Sequence, residues 1–243
     1  MAAVRSILFA LIFYPATILW AAAGIIGGLA GPKVTLAVVM NWVDLHHWLT
    51  VRLLGIRARI EGNIPDGAYL IAVKHQSMFE TIEMLRYARF PVIVLKRELS
   101  RIPIFGWVTR LYGVIPVDRS AGAKALRQMV ARGREAVAAN RPILIYPEGT
   151  RVLPGQSPPL RPGFAGLYRA LGLPVLPVAL DSGRVWGRGL VKQSGTVTIR
   201  VGEVLPAGMK RDEIERAVHS AINALELAPK PGAELLGRRD DPS

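Results

Sequence analysis

The sequence predicts an α/β protein: a mainly parallel mixed sheet flanked by helices, preceded by an N-terminal hydrophobic two-helix membrane hairpin. Three observations carry this reading. Short apolar runs recur along the chain, amphipathic helical patterns separate several of them, and an uncharged hydrophobic stretch precedes them all. Apolar runs without alternation suit strands buried on both faces, and strands interleaved with helices build a parallel layer covered on either side.

The hairpin comes first. From Ser6 to Gly31 no residue is charged. At about 1.5 Å per helical residue this run can cross a hydrocarbon core roughly 30 Å thick, so it reads as a membrane segment. A cleaved signal peptide competes with that reading, because Arg5 precedes the run and the string GLAG resembles a cleavage site. Signal h-regions, however, usually span only about 7–15 residues. A second apolar stretch, Val34 to Leu54, carries Asp44, His46, His47 and Arg52 and is poorly suited to cross a bilayer alone. Gly31 and Pro32 mark a turn between the two stretches. Residues 1–55 thus form either one span plus an interfacial helix or a re-entrant pair within one leaflet.

Strand-like runs then follow at Ala68 to Val73, Val92 to Leu95, Val114 to Val117, Ile143 to Tyr146, Val175 to Leu180 and Thr196 to Val201. Between Ala121 and Ala139 a helical pattern puts Leu126, Met129, Val130, Gly133 and Val137 on one face. After Asp212 another puts Ile214, Ala217, Val218, Ala221, Ile222 and Leu225 inward. Residues 56–228 form the expected catalytic domain. The tail, 229–243, mixes Pro, Gly and charge with little periodic apolar content and is expected to be disordered.

Composition narrows the function classes. Hydrophobic residues make up 51% of the chain, and the excess lies near the N-terminus. The net charge is +13, with most basic residues after Arg52, a basic body suited to the cytoplasmic face of an anionic membrane. Nucleic acid is not an expected partner, because neither a zinc-finger spacing nor an RNP-type aromatic string is present to read bases. With no cysteine, a thiol nucleophile, a disulfide framework and a cysteine-ligated metal site are excluded. His46 and His47 are adjacent, unlike a metal-binding pair at i and i+4, and read as interfacial polar residues. No metal site and no cofactor are expected, and nothing in the sequence sets an oligomeric state.

Two strings carry chemistry. HQSMFE, His75 to Glu80, follows a predicted strand and opens a predicted helix. Five residues along a regular helix would put His75 and Glu80 on different faces, so they meet only if the histidine precedes the helix and the glutamate lies in its first turns. In that arrangement Glu80 fixes the tautomer in which the other ring nitrogen removes a proton from a hydroxyl. A strand-end histidine beside an unrelated surface glutamate is the alternative. YPEGTR, Tyr146 to Arg151, ends a strand in a glycine turn that can aim backbone N–H groups and a guanidinium at a phosphate. Between them, LKRELSRIPIFGW and GVIPVDR bring Lys96, Arg97 and Arg119 to the carboxyl ends of predicted strands, the edge where open α/β sheets bind ligands.

Taken in order, HQSMFE, LKRELSRIPIFGW, GVIPVDR, YPEGTR and LPVLPVAL resemble the four-block signature of the glycerolipid acyltransferases, most closely those acting on 1-acylglycerol 3-phosphate. The resemblance spans roughly Ile71 to Leu180. It implies acyl transfer from acyl-CoA or acyl-carrier protein to the sn-2 hydroxyl of lysophosphatidate, giving phosphatidate with no covalent enzyme intermediate. By position it implies His75 as general base and Glu80 as its orienting carboxylate. Lys96, Arg119 and Arg151 would gather about the acceptor phosphate, with Glu148 and Gly149 shaping that pocket and Pro177 in the acyl-binding wall. The location it implies is a bacterial inner membrane, with the catalytic domain on the cytoplasmic side. One departure stands out: the first block usually ends in aspartate, whereas this chain has Glu80, one methylene longer. Two alternatives stay open, an acceptor such as a lyso-ornithine lipid and an inactive membrane lipid-binding protein.

Overall fold

The computed structural model describes residues 1–118 and 121–226, so Arg119 and the tail from 229 lie outside the described residues. Seven strands form one sheet: β1 (Ile56–Glu61), β2 (Leu70–Val73), β3 (Val92–Lys96), β4 (Ile115–Val117), β5 (Ile143–Ile145), β6 (Val175–Leu180) and β7 (Gly195–Val201). Their spatial order is β1-β7-β6-β2-β5-β3-β4, parallel throughout except for the antiparallel β6–β7 pair. At the centre every residue of β2 is buried, as an unbroken apolar run between two partners requires. The strand absent from the sequence reading is β1, which pairs only with β7 and carries Arg57, Arg59 and Glu61. Those charges broke the apolar run that marks the inner strands.

One face of the sheet packs α5 (Gly122–Ala138), α6 (Pro162–Leu171) and α7 (Arg211–Ile222) around Met129, Phe164, Tyr168, Ile214 and Val218. The other carries α1 (Ala2–Leu29), α2 (Pro32–Leu49), α3 (Phe79–Tyr87) and α4 (Phe105–Tyr112). Helices α4 and α6 add to the two amphipathic patterns visible in the sequence.

The N-terminal helices belong to the same core as the sheet. Phe9, Phe13, Val39, Val43 and Leu49 pack in one cluster with Ile71, Val73 and Val178 of the strands. Burying each phenylalanine contributes about 1.5–3 kcal/mol, so α1 is anchored to the catalytic body, not tethered beside it. Trp42 Nε1 donates to Thr17 Oγ1 at 3.0 Å and ties α2 to α1. A π-helical turn, Thr50–Leu54, continues α2 and ends at Gly55, whose φ of +70° lets the chain reverse into β1. Of the described helices, α1 alone is long and apolar enough to cross a membrane by length and composition. Its buried residues, Ser6, Phe9, Phe13, Ala21, Gly24 and Gly27, form one face, while Ile7, Leu11, Leu19 and Ile26 are exposed on the others.

Candidate active site

Parallel strands end at a common edge, and there the chain after β2 turns into α3. Lys74 N–H still donates to Val178 O at 3.0 Å, extending the sheet by one residue, and His75 then leaves it. Helix α3 begins at Phe79, so Glu80 lies in its first turn and the loop 75–78 folds back over the carboxylate. His75 Nδ1 and Glu80 Oε1 are 2.9 Å apart. The N–H groups of Gln76 and Ser77 donate to the same oxygen at 2.7 and 2.6 Å, and the hydroxyls of Ser77 and Ser182 donate to Oε2 at 2.7 and 2.6 Å. The longer side chain of glutamate thus fills a cup of five donors.

Glu80 is completely buried, which alone would favour its neutral form. Burial is outweighed by the hydrogen bond and charge of His75 and by the two serine hydroxyls, so its pKa falls below 4.5 and it stays a carboxylate. An ionised Glu80 accepts the Nδ1 proton and leaves the lone pair of the imidazole on Nε2. The His75 ring, 15% exposed, stacks on Tyr146 with centroids 4.1 Å apart. Tyr146 Oη donates to Glu80 O at 3.2 Å, and burial raises its pKa well above 10, so it remains a neutral donor. The ring is therefore fixed at Nδ1 by Glu80 and across one face by Tyr146.

The YPEGTR string lies directly behind this histidine. Glu148, 2% exposed, accepts the His75 N–H at 2.9 Å through Oε2 and Lys74 Nζ at 2.7 Å through Oε1. Lys74, itself fully buried, also donates to Asn223 Oδ1 at 2.5 Å and Gln156 O at 2.7 Å. Gly149, with φ +70°, closes the turn onto Tyr146 O at 2.9 Å, and a Cβ there would meet Arg161 Cγ at 2.8 Å. Val152 N–H donates to His75 O at 2.7 Å, which ties the segment after Arg151 to the histidine backbone.

The other predicted site residues lie around this centre. Lys96, at the end of β3, is half exposed and pairs with Glu98 at 3.5 Å. Arg151 is exposed and lines a cavity of about 240 Å³ with Gln76, Ser77, Trp186 and Lys192, a set that does not include Lys96. Pro177 is buried in β6 beside Ala72 of β2, and its carbonyl accepts Gly202 N–H at 2.9 Å; it lines neither large cavity. A second cavity, about 120 Å³ and almost entirely apolar, opens between the N-terminal helices and α3–α4, lined by Trp20, Val39, Thr81, Leu95 and Val108 among others.

Sequence reasoning missed a second histidine–carboxylate cluster. His46 Nδ1 and His47 Nδ1 reach the two oxygens of Glu83 at 2.8 and 2.9 Å, and Tyr87 Oη donates to Oε2 at 3.3 Å. The two histidines are not simply interfacial polar residues: a carboxylate with two oxygens meets adjacent residues that diverge along a helix. Nothing in the local sequence announces a partner so far along the chain.

A partly exposed histidine oriented by a buried carboxylate suits group transfer to an alcohol. The chain belongs to the acyltransferase family, whose model, described as Acyltransferase, matches residues 55–181. It is 35% identical over 213 residues to the 1-acyl-sn-glycerol-3-phosphate acyltransferase of Pseudomonas aeruginosa, covering 84% of this chain and 82% of that protein. It is 28% identical over 160 residues to the human 1-acyl-sn-glycerol-3-phosphate acyltransferase beta, covering 64% of this chain and 58% of the relative. The fold is that of the solved 1-acyl-sn-glycerophosphate acyltransferase PlsC of Thermotoga maritima, with a TM-score of 0.73 over 94% of this chain and 99% of that one at 21% identity.

Proposed function

We infer that this protein transfers a fatty acyl group from a thioester donor, acyl-CoA or acyl-carrier protein, to the sn-2 hydroxyl of 1-acylglycerol 3-phosphate, forming phosphatidate for phospholipid synthesis. The observation that carries this reading is the His75–Glu80 pair at 2.9 Å, with its carboxylate buried and its ring held against Tyr146. Nε2 of His75 takes the proton of the sn-2 hydroxyl as its oxygen attacks the thioester carbonyl. The tetrahedral intermediate collapses, the C–S bond breaks, and the thiolate leaves with the proton returned from the imidazolium. Glu80 keeps the imidazolium charge balanced throughout. The names of the curated relatives support the acceptor.

The surroundings support the placement of both substrates. An apolar cavity beside Thr81 suits an acyl chain, and the exposed guanidinium of Arg151 suits the acceptor phosphate, with Lys96 at the end of β3 as a further cation. Glu148 and Gly149 act from behind His75 by holding the turn. The exposed apolar residues of α1 suit lipid, while its opposite face is covered by the catalytic body near both ends: Ser6 Oγ accepts Lys192 N–H at 2.8 Å, and Gly28 lies against Leu111. That coverage favours a hairpin seated in one leaflet, and the net charge of +13 suits the cytoplasmic side of a bacterial inner membrane, where a lysolipid reaches His75 without crossing water.

Labelled acyl transfer by purified protein in mixed micelles tests the reading, with lysophosphatidate, glycerol 3-phosphate and lyso-ornithine lipid each offered with both donor types. Selective turnover of lysophosphatidate is expected. Preference for lyso-ornithine lipid would change the acceptor, and absence of turnover with every pair in folded protein would remove the enzymatic reading.

A further inference from the structure

The cavity of about 240 Å³ lies on the Gln76–Ser77 side of His75, between the start of α1 and the loop Trp186–Lys192. Three cations line it: Arg151, Arg188 and Lys192. No aspartate or glutamate does. Some basic side chains elsewhere meet carboxylates, such as Arg97 with Asp118 at 2.8 Å, Arg200 with Glu61 at 2.7 Å and Arg184 with Asp181 at 3.5 Å. Among the described residues, the three cavity cations have no such pair. Glu226 touches Gln76 but does not line the cavity, and its second oxygen takes the N–H of Gly155.

The loop is built to hold these charges in place. Arg188 Nη2 donates to Arg151 O at 2.7 Å, joining the loop to the YPEGTR turn. Lys192 Nζ donates to Gly189 O at 2.5 Å and Gly187 O at 3.2 Å and lies 5.4 Å from the centre of the Trp186 ring. Trp186 is itself buried against Phe9. Burial and the nearby charge of Arg151 lower the Lys192 pKa below 10.5, as expected when like charges share a cavity without a counter-ion. A bound anion relieves that repulsion. Arginine offers a planar fork to two phosphate oxygens, and lysine a point charge to the third.

We propose that Arg188 and Lys192, together with Arg151, form a phosphate-ester site beside His75. The site deepens the acyltransfer reading and rests on it. Both substrates carry the required chemistry: the acceptor has a phosphomonoester next to its reacting hydroxyl, and both donor types carry phosphopantetheine. Neither Arg188 nor Lys192 lies in the acyltransferase blocks quoted above, and neither is used in the proton transfer at His75.

The test combines kinetics with direct binding, using the full chain in mixed micelles. In Arg188→Gln and in the double variant Arg188→Gln with Lys192→Gln, KM for one substrate is expected to rise at least about tenfold in the double variant, with kcat changed less than about threefold. A rise in KM for lysophosphatidate assigns the site to the acceptor, and a rise for the acyl donor assigns it to phosphopantetheine. Lys192→Arg should restore most of the lost affinity, which a purely structural role for the lysine side chain would not predict. Calorimetric titration with 1-acylglycerol 3-phosphate, with its uncharged 1-acylglycerol counterpart and with acyl-CoA reads the same site without turnover. Charge-dependent binding lost in the single Arg188→Gln variant, whose side chain is exposed and so spares the fold, supports the proposal even if no turnover is found. Unchanged KM values and unchanged binding in folded variants would overturn it while leaving the acyltransferase reading intact.

Discussion

Two carboxylates on one helix, Glu80 and Glu83, are both completely buried and both meet the Nδ1 atoms of histidines, yet the surroundings of their partner rings differ. At Glu80 the partner ring is 15% exposed and stacks on Tyr146. At Glu83 the His46 ring is fully buried among Phe9, Phe13 and Trp186, and its Nε2 has no hydrogen-bond partner among the described residues. The lesson is that a histidine–carboxylate pair is not by itself a base: at Glu83 two rings share one carboxylate between two helices, although His47 is 32% exposed. The Glu83 cluster instead clamps α2 to the helix that carries Glu80, joining the N-terminal helices to the body of the protein by polar contacts inside an apolar interface.

Substitutions break this comparison in graded ways. Glu80→Gln keeps the shape and most acceptor geometry but removes the charge that stabilises imidazolium. It should lower kcat about 10- to 100-fold with KM little changed, measured by steady-state acyl transfer. Glu83→Gln leaves one of the two Nδ1 atoms facing an amide N–H2 in the interior. It should cost about 1–3 kcal/mol in denaturant unfolding while kcat stays within about threefold of the parent. If Glu83→Gln lost activity as deeply as Glu80→Gln in folded protein, the two pairs would not be functionally distinct.

The same cluster predicts a pH effect on stability. Burial alone would raise the Glu83 pKa, but the hydrogen bonds and charges of His46 and His47 lower it from 4.5 to about 2. A depressed folded value stabilises above the unfolded pKa and is lost as pH falls through the folded one. The stability difference between the parent and Glu83→Gln should therefore be full from about pH 4.5 to 6.5, shrink toward pH 2 by about 3 kcal/mol at most, and also decline as pH rises through the His47 pKa, which the Glu83 hydrogen bond raises above 6.5. A difference independent of pH across this window in urea unfolding would refute an ionised Glu83. His47→Gln should have the smallest effect, about 1 kcal/mol, because that ring is 32% exposed and water can replace the lost contact.

The inner strands and the contact between His75 and Glu80 were legible because both depend on local pattern. Strands buried on both faces are written as unbroken apolar runs, and a histidine between a strand and a helix can reach a carboxylate in the first helical turn. Strand β1 was hidden by the charges an edge strand turns to solvent. Short α4 and α6 offered too few turns for a periodic signal. The Glu83 clamp depends on contacts between residues far apart in sequence, and the grouping of Arg151 with Arg188 and Lys192 depends on where a loop after β6 folds back. Glu80 was legible as a departure from aspartate, but only the structure shows the five donors that receive its longer side chain.

The most direct measurement compares His75→Ala with Glu83→Gln in one assay, following labelled acyl transfer to lysophosphatidate by folded protein in mixed micelles. The proposed mechanism predicts a loss of about 10²- to 10⁴-fold in kcat for His75→Ala, against a change within about threefold for Glu83→Gln. Near-parental turnover by His75→Ala would contradict it.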